Sequence, residues 1–171
     1  EVFSVGAIRS RTGRLAALAV LHDVRAIQPE GGLVTVRRIV DDPEIEEAAR
    51  RVVAATPVIG AIHMEFIRDC SGRIYLIEIN PRIWGGISTA IYSGLNIPLL
   101  LVANELGVLD SDESVYRPRT GVTGVWVAGE LRRIATFLSR MQPIRATNAL
   151  AEFSSVLFSA DSVADEFAGG P

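Results

Sequence analysis

Hydrophobic and polar positions alternate over much of the first forty residues of the chain. A period of two is typical of β-strands that bury one face. The turn-like segments SRTGR and PEGG separate three predicted strands, which we expect to form an antiparallel meander: Glu1 to Ile8, Leu15 to about Ile27, and Leu33 to Val40.

A helical pattern follows in the segment DDPEIEEAARRVVAAT. Asp42 is suited to the N-cap and Pro43 to the first helical position, which predicts a helix from residue 43 to about residue 55. Two further helices are predicted, from about Ile87 to Ser93 and from Ile97 to about Leu106.

The pattern weakens beyond residue 107. Residues 117–129 are compatible with a strand, and residues 130–141 have apolar positions at helical spacing. Residues 161–171 resemble a loose acidic tail. We therefore divide the chain into a well-patterned lobe, residues 1–107, and a weakly defined extension, residues 108–171, that packs on it.

Two alternating segments, AIHMEFIR and RIYLIEIN, are joined by DCSG and predict a β-hairpin. A hairpin loop with an even number of residues would place Glu65 opposite Leu76 and diagonal to Glu78, roughly 7 Å away. Glu65, Leu76, Glu78 and Asn80 would then share one face. The other face is apolar and suited to packing under helices.

The polar face of this hairpin is a candidate metal site. Two close carboxylates repel one another, and a divalent cation removes that repulsion. The oxygens of Glu65, Glu78 and Asn80 suit Mg²⁺ or Mn²⁺. Arg82, just past the strand, has a planar fork that can bind phosphate. The alternative is a structural hairpin with a solvated face, on which charge reversal at Glu78 would be tolerated.

Composition limits the function classes. All seventeen basic residues are arginine, which excludes a Schiff-base lysine and the lysine of a P-loop. The net charge is −3 and the arginines are scattered, so we expect no nucleic-acid partner. We also expect no membrane segment, because no run of about 18 apolar residues exists. A cytoplasmic location is the expectation.

The segment HMEFIRDCSGRIYLIEINPRIWGGISTAIYSGLNIP resembles the ATP-grasp superfamily, especially the branch similar to the carbamoyl-phosphate synthase large subunit. That family combines an x-E-F strand, a short turn and an E-x-N-x-R motif. The resemblance covers residues 1 to about 107. It implies an α+β fold, in which residues 1–107 form the C-terminal catalytic lobe of an ATP-grasp enzyme, with a largely antiparallel sheet flanked by helices.

The resemblance implies an ATP-dependent ligase, in which a small carboxylate substrate is activated as an acyl phosphate and attacked by an amine or similar nucleophile. Glu65, Glu78 and Asn80 match the family's metal ligands, and Arg82 matches its phosphate-contacting arginine. Arg25 lies where the family often places substrate- or phosphate-contacting groups. Leu76 is expected to form the floor of the adenine pocket. The expected cofactors are ATP and Mg²⁺ or Mn²⁺.

The family normally has a preceding half, with a lid whose lysines contact the phosphates. Nothing in this chain matches that half, and the chain has no lysine. We therefore expect the C-terminal part of a longer enzyme, or a split subunit whose missing half acts in cis or in trans, and a poor catalyst by itself. The alternative is a non-catalytic nucleotide-binding or interaction module that retains the fold.

Overall fold

The computed structural model describes residues 1–28, 31–109 and 114–164. Its seven strands form one sheet in the order β5-β4-β1-β2-β3-β6-β7, antiparallel except for the parallel pair β6–β7. The fold is therefore α+β, with a mixed sheet. The elements in chain order are β1 Val2–Arg9, β2 Leu15–Gln28, β3 Gly31–Ile39, α1 Pro43–Ala55, β4 Gly60–Arg68, β5 Ile74–Asn80, α2 Ile87–Tyr92, α3 Ile97–Glu105, β6 Thr123–Val125, α4 Val127–Ser139, α5 Pro143–Leu157 and β7 Ser162–Ala164.

The N-terminal elements confirm the sequence pattern. β1, β2 and β3 form the predicted antiparallel meander, and α1 has the predicted bounds. The Asp42 side chain caps α1 by accepting a hydrogen bond from the Ile45 amide at 3.1 Å. Arg68, at the end of β4, donates to both Asp42 oxygens, at 2.9 and 2.7 Å. The N-cap of α1 is thereby tied to the β4–β5 hairpin.

Both faces of the sheet are covered. One apolar core lies between α1 and the sheet, and its buried members are Phe3, Val5, Ala7, Leu18, Val20, Ile45, Ala49, Val53, Ile62, Met64 and Phe66. The second core joins the other face to α2, α3 and Trp84, through Leu21, Ile39, Ala90, Leu95 and Ile97 among others. Side chains on the second face are therefore shielded where this layer covers the sheet.

Close contact between Gly6 and Trp84 positions the segment that follows β5. Trp84 is only 2% exposed. A Cβ atom added to Gly6 would lie 2.0 Å from Trp84 Cζ2, so any larger residue at this position would displace the indole. The absence of a side chain at Gly6 thus lets the segment bearing Arg82 and Trp84 pack onto β1.

The C-terminal region extends the sheet. β6 lies within residues 117–129, the segment compatible with a strand. α4 begins and ends within about three residues of the predicted helix at residues 130–141. The sequence pattern missed α5, and β7 occupies part of the predicted loose tail, which is a correction for residues 162–164. Residues 165–171 of that tail lie outside the described residues. The division of the chain at residue 107 stays a prediction.

A buried ion-pair network fastens α4 to the sheet. Glu130, with 0% exposure, accepts hydrogen bonds from Arg25 at 2.7 Å, Thr35 at 2.5 Å and Arg133 at 3.2 Å. Arg133 also donates to Glu152 of α5, at 2.6 Å. One carboxylate therefore connects β2, β3 and α4.

β5 is the strand at one edge of the sheet. Tyr75, Ile77 and Ile79 on this strand are 43%, 56% and 41% exposed. Its apolar residues are thus only partly covered by the described residues. In the described ranges, no helix is both long and apolar enough to cross a bilayer.

The Glu130 network predicts a large loss of stability for Glu130→Ala, because Arg25 and Arg133 would lose their shared partner in a buried setting. We expect the free energy of unfolding to fall by about 3 kcal/mol in urea titrations. The control is Glu47→Ala, whose exposed carboxylate lies 3.9 Å from Arg51 and whose loss should change stability by less than about 0.5 kcal/mol. Equal losses in the two variants would contradict the role of the network.

The ion pairs of Glu46 with Arg117 and Arg50 should make a pH-dependent contribution to the free energy of unfolding. Hydrogen bonds from Arg117 and Arg50 lower the pKa of Glu46 from 4.5 to about 2. Its stabilising effect is therefore fully present above about pH 4.5 and is lost as the pH falls toward 2. The difference in free energy of unfolding between the wild type and Glu46→Gln should narrow between pH 5 and pH 3. A difference that stays constant over this interval would contradict the prediction.

Candidate functional site

A β-bulge in the β4–β5 hairpin determines which side chains oppose one another. Glu65 pairs directly with Glu78, whereas the next residue, Phe66, pairs with Leu76, so Ile77 is the extra residue of the bulge. The predicted register, with Glu65 opposite Leu76 and diagonal to Glu78, is therefore wrong. The two carboxylates are closer neighbours than the sequence indicated.

The turn of the hairpin contributes to this difference. Arg68 pairs with Ile74, which leaves an odd-numbered loop, residues 69–73, where an even-numbered loop was expected. The Asp69 carboxylate holds the loop by accepting from the amides of Ser71 at 2.8 Å and Arg73 at 3.0 Å. Turn and bulge each shift the pairing by one residue, and together they bring Glu78 opposite Glu65.

Leu76 lies on the face away from the carboxylates. Directly opposed residues share a face, and its partner Phe66 is buried in the core under α1. Leu76, Phe66 and Ile74 line a groove of about 340 Å³ together with residues of α1. The expectation that Leu76 shares a face with Glu65 is wrong. A contact between Leu76 and an adenine ring stays a prediction.

Glu65 and Glu78 form an electrostatically unfavourable pair. Burial raises the pKa of Glu65, and the carboxylates of Glu78 and Asp23 raise it further. His63 Nε2 lies 3.9 Å from Glu65 Oε1. Burial and the charges of Arg82 and Arg37 lower the pKa of His63 to about 4, so the imidazole is neutral at pH 7. His63 therefore does not neutralise the carboxylates.

Asn80 and Arg82 border this pair. Asn80 lies opposite His63, on the same face as Glu65, and its buried Nδ2 has no hydrogen-bond partner among the described residues. The Arg82 amide donates to the Asn80 carbonyl at 2.8 Å, and its exposed side chain donates to the Ile83 carbonyl at 3.2 Å. The structure thus brings Glu65, Glu78, Asn80 and Arg82 together.

Sequence reasoning missed two charged residues beside the site, Asp23 and Arg37. Asp23 Oδ2 accepts from Ser4 Oγ at 2.6 Å, and Asp23 Oδ1 lies 3.4 Å from Arg37 Nε. Burial raises the pKa of Asp23, while Arg37 and Ser4 oppose that shift. The sequence did contain a signal for these residues. Asp23 is two positions after Leu21 and Arg37 two positions before Ile39, so strand alternation places each charged side chain on the same face as a core residue.

Arg25 belongs to a different cluster of charges. Its guanidinium pairs with Glu130 at 2.7 Å and lies 3.7 Å from Glu152, and its side chain is only 15% exposed. These contacts give Arg25 a structural role in fastening α4 to the sheet. The catalytic role suggested for Arg25 stays a prediction that this geometry does not favour.

The donor set on the hairpin fits a divalent cation. Among the described residues, no group of three or more His, Cys, Asp or Glu side chains is arranged to hold a metal ion. Glu65, Glu78 and Asn80 instead provide two carboxylates and an amide oxygen, a hard ligand set suited to Mg²⁺ or Mn²⁺. Burial and repulsion by Glu78 raise the pKa of Glu65, and a bound cation would oppose both by stabilising the ionised carboxylate. Water or a phosphate oxygen would complete the coordination.

Comparison with known families gives one match over most of the chain. Residues 4–130 match the family described as "ATP-grasp in the biosynthetic pathway with Ter operon". The matched segment includes Glu65, Glu78, Asn80 and Arg82, together with Asp23 and Arg37. No curated protein matches the chain.

Solved structures share the fold at low sequence identity. The phosphoribosylaminoimidazole carboxylase ATPase subunit from Aquifex aeolicus is 15% identical, with a TM-score of 0.52 over 71% of this chain and 36% of that chain. The N5-carboxyaminoimidazole synthase from Aspergillus clavatus, solved with ADP and 5-aminoimidazole ribonucleotide, is 17% identical, with a TM-score of 0.54 over 71% of this chain and 33% of that chain. Pyruvate carboxylase from Rhizobium etli is 19% identical, with a TM-score of 0.53 over 71% of this chain and 13% of that chain. The aligned part of this chain thus covers about a third of the first two proteins.

The opposed carboxylates predict that Glu78→Gln stabilises the protein when divalent cations are removed. The substitution eliminates a like-charge pair across the strands, so the free energy of unfolding in EDTA should rise by about 0.5 kcal/mol in urea titrations. Glu47→Gln, on the exposed side of α1, is the matched control and should show no gain. A loss of stability in Glu78→Gln would contradict the repulsion that we assign to this pair.

Proposed function

The chain belongs to the ATP-grasp family, and we propose that it forms the metal- and ATP-binding part of an ATP-dependent ligase. In the proposed reaction a small carboxylate attacks the γ-phosphorus of ATP, the bond to the β,γ-bridging oxygen breaks with release of ADP, and an acyl phosphate forms. An amine or similar nucleophile then attacks the acyl carbon and displaces inorganic phosphate. The observation that carries this proposal is the direct opposition of Glu65 and Glu78, with Asn80 beside them on the same face.

Each site residue has a role in this proposal. Glu65 and Glu78 hold Mg²⁺ or Mn²⁺, and Asn80 adds a ligand oxygen without a third negative charge. The bound cation would neutralise charge on the phosphate oxygens of ATP. Arg82 binds the γ-phosphoryl group from the side, because its guanidinium is exposed at the end of β5 and can donate two parallel hydrogen bonds.

The neutral His63 supports this assignment. A protonated imidazole beside Glu65 would compete with a cation for the carboxylates. Burial and neighbouring arginines instead keep the pKa of His63 at about 4, so at pH 7 any positive charge beyond that of Arg37 and Arg82 has to come from a source other than His63. A divalent cation is that source in our proposal.

The whole ligase cycle is proposed for an assembly larger than this chain. The aligned residues cover about a third of the first two solved proteins, and the chain contains no lysine to contact ATP phosphates. We propose that further ATP-grasp residues act with it in cis or in trans, in the cytoplasm. The E-x-N-x-R motif and the following SGLNIP segment also support placement in the branch similar to carbamoyl-phosphate synthase.

The proposal predicts that Asn80→Ala loses metal-dependent nucleotide binding. Calorimetric titration of Mg²⁺ with a non-hydrolysable ATP analogue should give binding by the wild type and an affinity about tenfold lower or worse in the variant, since one metal ligand is removed. Asn148→Ala, at an exposed position of α5, is the matched control and should bind like the wild type.

The same titration without Mg²⁺ completes the experiment. Binding by the wild type that is equally strong with and without the cation would contradict the metal role of Glu65, Glu78 and Asn80. Metal-dependent binding combined with an absence of ligase activity in the complete assembly would favour a non-catalytic nucleotide-binding module.

A further inference from the structure

Arg37 is a nearly buried cation with few partners. Its residue exposure is 9%, and its Nε lies 3.4 Å from Asp23 Oδ1. Neither of these two buried atoms has a hydrogen bond of good geometry in the described part of the chain. Asp23 accepts its short hydrogen bond from Ser4 instead. A guanidinium carries five donors, and in the described residues only Nε has a charged group within reach, so the terminal N–H groups can bind a further ligand.

Arg37 lies beside the metal site. It pairs across β2 and β3 with Asp23, and its positive charge acts on both Glu65 and His63. The segment that follows β5 packs against the aliphatic part of the Arg37 side chain. A Cβ atom added to Gly86 in this segment would lie only 3.1 Å from Arg37 Cδ. The guanidinium is thus held between the sheet and the segment that carries Arg82.

We propose that Arg37 binds an oxyanion at the metal site, while Asp23 and Ser4 position its guanidinium. This inference rests on the proposed metal and ATP site, and it adds a second arginine to Arg82. The ligand chemistry is a carboxylate or phosphoryl oxygen pair, which the planar fork of arginine recognises. The source of the oxyanion is either the substrate carboxylate or the transferred phosphoryl group.

A purely structural role for Arg37 makes a different prediction. If the residue only balances the charges of Asp23, Glu65 and Glu78, its removal changes stability and cation affinity but no oxyanion contact. A binding role predicts instead a selective loss of oxyanion affinity in protein that still binds the cation. Oxyanion affinity must therefore be measured separately from cation affinity.

The test uses the 171-residue chain with Mn²⁺ as the metal probe. Electron paramagnetic resonance of free Mn²⁺ gives the cation affinity. Paramagnetic relaxation of inorganic phosphate, followed by ³¹P resonance, and of ¹³C-labelled acetate gives the affinity of each oxyanion near the bound cation. The stronger of the two signals identifies the source of the oxyanion.

We expect Arg37→Gln to bind Mn²⁺ at least as well as the wild type and to bind the oxyanion about tenfold more weakly or worse. Arg37→Lys should recover part of the loss. Arg38→Gln changes the adjacent, exposed arginine and should behave like the wild type. The single variant leaves the buried Asp23 carboxylate without its arginine partner. The double variant Asp23→Asn/Arg37→Gln avoids this unpaired charge and should show the same loss of oxyanion affinity.

Three results would overturn the proposal. The first is Mn²⁺ binding by the wild type with no relaxation of either oxyanion, which leaves the metal site intact and removes only the role of Arg37. The second is equal oxyanion affinity in the wild type and both Arg37→Gln proteins. The third is no Mn²⁺ binding by the folded wild type, which refutes the proposed metal site and this inference together.

Discussion

The bulge at Ile77 is the constraint on which the candidate site depends. It adds one residue to β5 between Leu76 and Glu78, so these two side chains lie on opposite faces of the sheet. Glu78 thereby lies directly opposite Glu65, whereas Leu76, whose face is set by the loop of residues 69–73, lies opposite Phe66. With the same loop and no bulge, Glu78 would lie opposite Met64, on the face away from Glu65.

The charges around this pair explain why the site suits a cation and an anion together. Glu65, Glu78 and Asp23 supply negative charge, while Arg37 and Arg82 lie close enough to influence Glu65. Since His63 is neutral at pH 7, the bare carboxylates depend on the two arginines for compensation. A metal–phosphate or metal–carboxylate pair adds both signs of charge, so it can satisfy the carboxylates and the arginines at once.

Local patterns in the sequence predicted most of the N-terminal fold, whereas non-local packing decided the remainder. Alternation and turn residues located the hairpin, but its register depends on the Asp69 loop and on the bulge between Leu76 and Glu78. α5 was missed because alanines occupy two of its buried positions, Ala146 and Ala149, and give weak hydrophobic contrast. Asp23 and Arg37 meet only through the pairing of β2 and β3, which a single motif does not reveal.

The partly exposed edge strand has a consequence for handling the protein. β5 offers one unpaired row of backbone donors and acceptors beside Tyr75, Ile77 and Ile79, each more than 40% exposed. Such an edge is a template for intermolecular strand addition, and its protective features are the bulge at Ile77 and the charge of Glu78, since the strand contains no lysine or proline. We therefore expect association of the isolated chain through β5 to increase with protein concentration, and a peptide strand that pairs with β5 to suppress it.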